Sequence, residues 1–247
     1  MPAQRVSADC ELHYVVDDHS DPRREPQTIL MLHGNAESGA ASFGWVPQRP
    51  AFALLLTVAL VSCGERVPRI APVGPNEVIV AFGDSLTYGT GAAETESYPA
   101  VLAQLIGRKV VRAGVPGEVT AQGLARLEQV IEAHRPALMI VCLGGNDMLR
   151  RMDEAQVRRN LREIIRAIKS RGIAVVLVGV PKPALIASAP AFYGELAQEF
   201  GIPYEGRVVT DVMYQLELKA DPIHPNARGY RRMAEAIAEL LKKAGAI

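Results

Sequence analysis

The chain has 247 residues, 49% hydrophobic and 22% charged, with 27 Lys and Arg balanced by 27 Asp and Glu. That length holds one large domain, or one of about 170 residues with something attached, and the composition excludes a disordered or collagen-like chain. With only 5% aromatics, and no basic patch interleaved with Tyr or Phe, no nucleic-acid partner is expected.

Charge is unevenly spread: residues 1–48 carry 3 Lys or Arg against 7 Asp or Glu, and the rest carries 24 against 20. Cys10, Cys63 and Cys142 are far apart and form no C-x-x-C, so neither a zinc site nor a disulfide framework follows. Cys142 lies inside the apolar run ALMIVCLG and reads as core.

In chain order, residues 29–39, ILMLHGNAESG, form an apolar run ending in His33-Gly34-Asn35. The run resembles the first strand and oxyanion loop of an α/β-hydrolase. Such an enzyme needs a downstream G-x-S-x-G elbow, which the chain lacks; Gly83-Asp84-Ser85 fails that pattern at Thr87. Residues 1–47 are therefore expected to be a peripheral or poorly ordered fragment, from a gene fusion or an upstream start codon.

Residues 51–62, AFALLLTVALVS, make a 12-residue apolar block, short of the ~20 residues that span a bilayer. The block follows Arg49 and ends in Leu60-Val61-Ser62-Cys63-Gly64. The segment 48–63 thus resembles a bacterial lipoprotein signal, which would lipidate Cys63, tether the protein to a membrane and place it in the cell envelope or periplasm. Its position, 48 residues into the chain, speaks against that reading. The alternative is a short buried helix in a cytoplasmic protein. Residues 64–76, rich in Pro and Gly, read as a linker.

From Glu77 apolar runs alternate with amphipathic segments. Strands are expected at 78–82 (VIVAF), 109–113 (KVVRA), 137–143 (ALMIVCL) and 173–179 (IAVVLVG). A helix is predicted over 154–170, with Val157, Leu161, Ile164, Ile165 and Ile168 on one face, and a last helix with Tyr230, Met233, Ala234, Ile237 and Leu241 inward. Alternating strands and helices give a parallel sheet covered on both sides, with its reactive site beyond the carboxyl ends of the strands.

The chemistry-bearing residues fall at those ends. The first strand runs into Gly83-Asp84-Ser85-Leu86. Serine needs a base to take its proton and a third group to orient that base. His224, in Asp221-Pro222-Ile223-His224-Pro225-Asn226, is the one histidine in a loop just before a well-patterned helix. Its Asp three residues earlier, in a turn stiffened by two prolines, can hold Nδ1 and leave Nε2 to the serine; such a D-x-x-H is also an ordinary surface turn. Gly144-Gly145-Asn146-Asp147 closes the third strand and brings an amide suited to an oxyanion. Gly114-Val115-Pro116-Gly117 after the second strand can expose a backbone N–H.

Taken in order, these blocks resemble the SGNH (GDSL) hydrolase superfamily, nearest its thioesterase I/arylesterase/lysophospholipase branch, over residues 77–245. The resemblance implies a flavodoxin-like α/β/α sandwich of five parallel strands, with no metal or organic cofactor. It implies Ser85 as nucleophile, His224 as base and Asp221 as orienting acid. The oxyanion donors would be the Ser85 N–H, Gly117 and Asn146.

The implied activity is hydrolysis of small-molecule carboxylic esters with short or medium acyl or aryl groups, and by extension thioesters or lysophospholipids. Two alternatives are an O-acetyl esterase of cell-envelope carbohydrate and a non-catalytic lipidated scaffold. Residues 181–187 resemble the variable loop lining the acyl pocket of this branch. The chain departs from the family pattern in Val111-Arg112-Ala113-Gly114, where an asparagine usually precedes the glycines, in Val115-Pro116-Gly117-Glu118-Val119-Thr120, where Ser-Gly-Asp/Asn-Thr is commoner, and at Pro222, where glycine is common.

Overall fold

The computed structural model describes residues 67–182 and 188–247 in full and, within the first 66, the backbone of three short strands. These are β1 (Gln4–Ser7), β2 (Cys10–Tyr14) and β3 (Leu30–Met31), paired antiparallel in that order. They belong to one compact unit, Met1–Val61, and the remainder to another, Ser62–Ile247. The lipoprotein-like block with Cys63 lies outside the described residues, as do 183–187 of the candidate acyl loop.

The second unit is built on five parallel strands: β4 (Val78–Gly83), β5 (Lys109–Gly114), β6 (Leu138–Cys142), β7 (Ala174–Val178) and β8 (Tyr204–Glu205). Their order across the sheet is β5-β4-β6-β7-β8. The central strand β6, LMIVC, is buried along its whole length, as a continuous apolar run covered on both faces should be. Cys142 is fully buried at its end, and burial pushes the thiol pKa up.

Parallel neighbours need crossovers, and helices supply them. After β4 come α1 (Ser85–Tyr88), a 3-10 turn (Glu94–Glu96) and α2 (Tyr98–Ile106), and α3 (Thr120–His134) joins β5 to β6. The short α4 (Gly145–Leu149) and the long α5 (Glu154–Ser170) lead to β7, and α6 (Ala191–Phe200) to β8. The chain closes with α7 (Val208–Tyr214), a 3-10 turn (Leu216–Leu218) and α8 (Ala227–Ala244). Helix α2 packs on α8 and α3 on α5, so the sheet is the middle layer of an α/β/α sandwich.

Both helices expected from periodicity form. In α5 the predicted face, Val157, Leu161, Ile164, Ile165 and Ile168, is buried, and Asp153 caps the first turn by accepting from the Ala155 N–H at 3.1 Å. In α8 the Asn226 side chain accepts from the Arg228 and Gly229 N–H groups at 3.0 and 3.1 Å. Lys242 and Lys243 stand in the last turn, where the helix dipole favours positive charge.

Register positions the site. Gly83 pairs with Gly114 on one side and with Cys142 on the other, so β4, β5 and β6 end at one level. The chain leaves β4 for β5, then returns to β6 on the opposite side. The crevice between β4 and β6 is therefore the switch point where open α/β sheets bind ligands.

From Val67 onward the Pro- and Gly-rich stretch packs against the C-terminal end of the chain. The Ile70 N–H donates to the Ala244 carbonyl at 3.0 Å and the Val73 N–H to Ala246 at 2.8 Å, and Val73 is buried. Its apolar side chains, spaced between prolines, give this stretch a surface to bury even without periodic structure. No helix among the described residues is long and apolar enough to cross a membrane.

Candidate active site

Strand β4 ends in a glycine for a steric reason: a Cβ at Gly83 would run into the Cys142 carbonyl oxygen and Thr87 Oγ1. A Cβ at Gly114 would likewise meet the Tyr88 nitrogen. The two glycines let the ends of β5 and β6 close around a one-turn helix. Asp84 caps that helix by accepting from the Leu86 N–H at 3.0 Å, and Ser85 opens it, buried yet lining a cavity. Burial pushes the Asp84 carboxyl up to about 7, the Leu86 N–H offsets part of the rise, and the carboxylates of Glu118 and Asp147 add to it.

His224 arrives from the far end of the chain. Its Nε2 is 3.0 Å from Ser85 Oγ and its Nδ1 is 2.7 Å from Asp221 Oδ2. The other carboxylate oxygen of Asp221 accepts from the Ile223 and His224 N–H groups at 2.8 and 2.9 Å, fixing the carboxylate plane. Burial would raise the Asp221 pKa, but hydrogen bonds from the His224 side chain and the Ile223 N–H outweigh it and hold the carboxyl below its ordinary value. The turn is closed by the Ala220 N–H donating to the His224 carbonyl at 2.9 Å. Asn226 Nδ2 pins its flanks through the Glu217 and Lys219 carbonyls, at 2.9 and 3.2 Å.

Asn146 lies in the first turn of α4 and lines the same cavity as Ser85 and His224. Its Nδ2 donates to the Glu118 carbonyl at 3.0 Å. An NH₂ group has two N–H bonds, so this one orients the amide and leaves the second available. Gly117 sits at φ +78°, a left-handed conformation that favours glycine. Its carbonyl accepts from Arg150 Nη2 at 2.8 Å. Gly117 is not among the cavity-lining residues; it belongs to the adjoining turn, linked to Asn146 through the Glu118 carbonyl. Asp221, His224 and Ser85 thus form one hydrogen-bonded line at the carboxyl edge of the sheet, with Asn146 facing the same space.

The profile of the GDSL-like Lipase/Acylhydrolase family matches residues 81–232, which contain all of these groups. This chain belongs to that family. It is 30% identical over 174 residues to thioesterase 1/protease 1/lysophospholipase L1 of Escherichia coli K12, covering 67% of this chain and 84% of that protein. It is 28% identical over 179 residues to the esterase TesA of Pseudomonas aeruginosa, covering 67% and 88%. Among solved structures, AlinE4, an SGNH-hydrolase family esterase, shares 34% identity at TM-score 0.55, over 70% of this chain and 98% of that one. A crystal structure of TesA aligns at TM-score 0.59 with 27% identity, over 68% and 99%. The protein is a carboxylic ester hydrolase of the GDSL type.

Three further sets of groups brace this site, and of them only Arg112 stands out in the sequence. Arg126 of α3 grips Glu118, the residue after Gly117. Asp147 accepts from the N–H and hydroxyl of Thr120, at 2.9 and 2.6 Å, and Asn160 Nδ2 donates to that hydroxyl at 2.9 Å; this buried chain joins α3, α4 and α5. Arg112 of β5 reaches back to α1. It donates to the Tyr88 carbonyl at 2.6 Å, lies 4.5 Å over the Tyr88 ring and pairs with Glu94 at 2.9 Å. A sequence signal exists for Arg126, a cation three residues after buried Gly123 and next to buried Leu127. A charge on an inward stripe requires a partner.

The cavity beside Ser85 encloses about 310 Å³. Its walls are largely apolar, with Leu86 of α1, Leu149 of α4, Val180 after β7, and Val209 and Met213 one turn apart on α7. Pro181 and Lys182, the described start of the candidate acyl loop, also line it.

Proposed function

We propose that Ser85, His224 and Asp221 are the catalytic triad of this esterase and that the Ser85 N–H, the Gly117 N–H and Asn146 Nδ2 bind the oxyanion. The observation that carries the reading is the hydrogen-bonded line Asp221–His224–Ser85, at 2.7 and 3.0 Å, beside an apolar cavity that Asn146 also lines. In acylation His224 Nε2 takes the Ser85 proton as Oγ attacks the ester carbonyl. The imidazolium then gives that proton to the leaving alcohol. In deacylation a water follows the same route and the acid departs. Asp221 holds the Nδ1 proton throughout and stabilises the imidazolium without taking the proton. Because Asn146 is oriented before substrate arrives, its N–H needs no reorganisation as charge develops.

The substrates are carboxylic esters with one short or medium acyl chain. A cavity of about 310 Å³ stands at the small end of the ~300–1,000 Å³ typical of ligand pockets, and its largely apolar walls offer dispersion contacts to an acyl chain. The same acyl-enzyme would form from thioesters or lysophospholipids, two of the three activities in the name of the Escherichia coli relative. The test is kcat/KM across p-nitrophenyl esters from acetate to laurate, in the wild type and in Met213→Trp. The variant fills the α7 side of the cavity and should move the optimum to shorter chains; an unchanged profile would refute the assignment of this cavity to the acyl group. Lipidation at Cys63 is tested separately by the mass of the native N-terminus, which should begin at diacylated Cys63; an intact Met1 would remove it.

A further inference from the structure

We propose that the Glu118–Arg126 ion pair is the positioning device of the oxyanion site, holding the Gly117 turn and Asn146 against the strand end that carries Ser85. This rests on the acyl-transfer reading above and assigns residues outside the triad and its donors. Arg126 Nε donates to Glu118 Oε1 at 2.5 Å and Nη2 to Oε2 at 2.6 Å, a bidentate pair in which Glu118 is 4% exposed. The same Nη2 is 3.1 Å from the Gly83 carbonyl and 3.0 Å from the Ala113 carbonyl, at the ends of β4 and β5. The guanidinium carbon lies 4.2 Å from the Phe82 ring centroid, so the plane is held from its face as well as its edge.

Every partner of this guanidinium borders the reacting groups. Gly83 is two residues before Ser85, and Ala113 is the penultimate residue of β5, just before the turn that ends at Gly117. Glu118 follows Gly117, and its carbonyl is the acceptor that orients Asn146. One planar fork thereby sets the register between the nucleophile and two of the donors. A buried ion pair is weak evidence for stability, since apolar residues of similar volume often replace it without loss; here its acceptors are all located where a small displacement would be felt by chemistry. Lysine retains the charge but cannot hold two carboxylate oxygens and two strand ends in one plane.

The variants Arg126→Lys, Glu118→Gln and Glu118→Asp test this, with steady-state kinetics on p-nitrophenyl butyrate. Arg126→Lys and Glu118→Gln should lower kcat about 10–100-fold, the range for groups that orient an active-site ligand, with KM nearly unchanged. Inactivation by an organophosphonate, whose oxygen would occupy the oxyanion site, should slow in proportion to kcat. Glu118→Asp should recover part of the loss, and Arg126→Lys combined with Glu118→Gln should be no worse than the poorer single variant. Unfolding midpoints establish that the proteins are folded; should Glu118→Gln not fold, Arg126→Lys and Glu118→Asp carry the test. A folded Arg126→Lys protein with wild-type kcat, or one whose whole loss lies in KM, would overturn the proposal. Wild-type turnover by Ser85→Ala would instead sink the acyl-enzyme reading, so the two failures are distinguishable.

Discussion

Replacing Asp84 with asparagine should reverse a pH-dependent weakness in the fold. Asp84 is 2% exposed, and burial with two nearby carboxylates raises its pKa from an ordinary 3.8 to about 7. In the unfolded chain the group ionises near 4, whereas in the folded protein it stays protonated until near 7. Below pH 4 both states are protonated and the carboxyl exerts no penalty. As pH rises from about 4 to about 7 the unfolded state alone gains the favourable ionisation, and folding stability falls by about 1.4 kcal/mol per pH step. The ceiling is on the order of 4 kcal/mol, from the separation between 3.8 and about 7. The asparagine side chain would keep an oxygen for the Leu86 N–H but could not ionise. Urea unfolding at pH 4 and pH 8 measures both proteins: the stability of Asp84→Asn relative to wild type should be more favourable at pH 8 by a few kcal/mol. A difference equal at the two pH values would refute the reasoning.

Asp221→Asn should be severe because the turn selects its rotamer. The amide oxygen must serve the Ile223 and His224 N–H groups that Asp221 Oδ1 now serves, which turns the NH₂ toward His224 Nδ1. Nδ1 must then accept, the proton moves to Nε2, and the imidazole cannot take the serine proton. A kcat loss of about 10⁴ is expected; a loss under about tenfold on p-nitrophenyl butyrate would contradict it. The packed segment before β4 makes a prediction about length. A chain starting at Cys63 should keep wild-type kcat/KM and thermal midpoint, whereas one starting at Glu77 loses buried Val73 and two backbone hydrogen bonds. Burial of one valine, about 1.5–3 kcal/mol, corresponds to a midpoint lower by about 3–12 °C; equal midpoints would refute the anchoring role.

Much of the architecture was legible because it rests on local patterns. The four longer strands are apolar runs bounded by Gly or Pro, and α5 and α8 have inward faces that periodicity identifies. Strand β8 is two residues long between Ile202-Pro203 and Gly206, too short for any period to register. The helices that carry Ser85 and Asn146, four and five residues long, are equally invisible; only the glycines beside them mark the turns. In the site, residue types at strand ends pointed to Ser85 and Asn146, and the loop before the last helix to Asp221 and His224. The groups that brace them were not legible, because their pairing is tertiary. Thr120 and Asp147 are 27 residues apart, and Arg126 meets Gly83 across 43, so no spacing rule connects them. Arg112 stood out as a departure from the family pattern, yet its contacts with Tyr88 and Glu94 follow only from β5 lying at the sheet edge beside α1.

The central claim is that Ser85 is a nucleophile activated by His224, and covalent labelling tests it most directly. Wild-type protein treated with a fluorophosphonate and analysed by peptide mass spectrometry should carry one adduct, on Ser85, with loss of esterase activity in step with labelling. Ser85→Ala should take no label, and His224→Ala should label far more slowly while remaining folded. Folded, active wild-type protein that takes no label on Ser85, or Ser85→Ala protein that hydrolyses esters at the wild-type rate, would contradict the account.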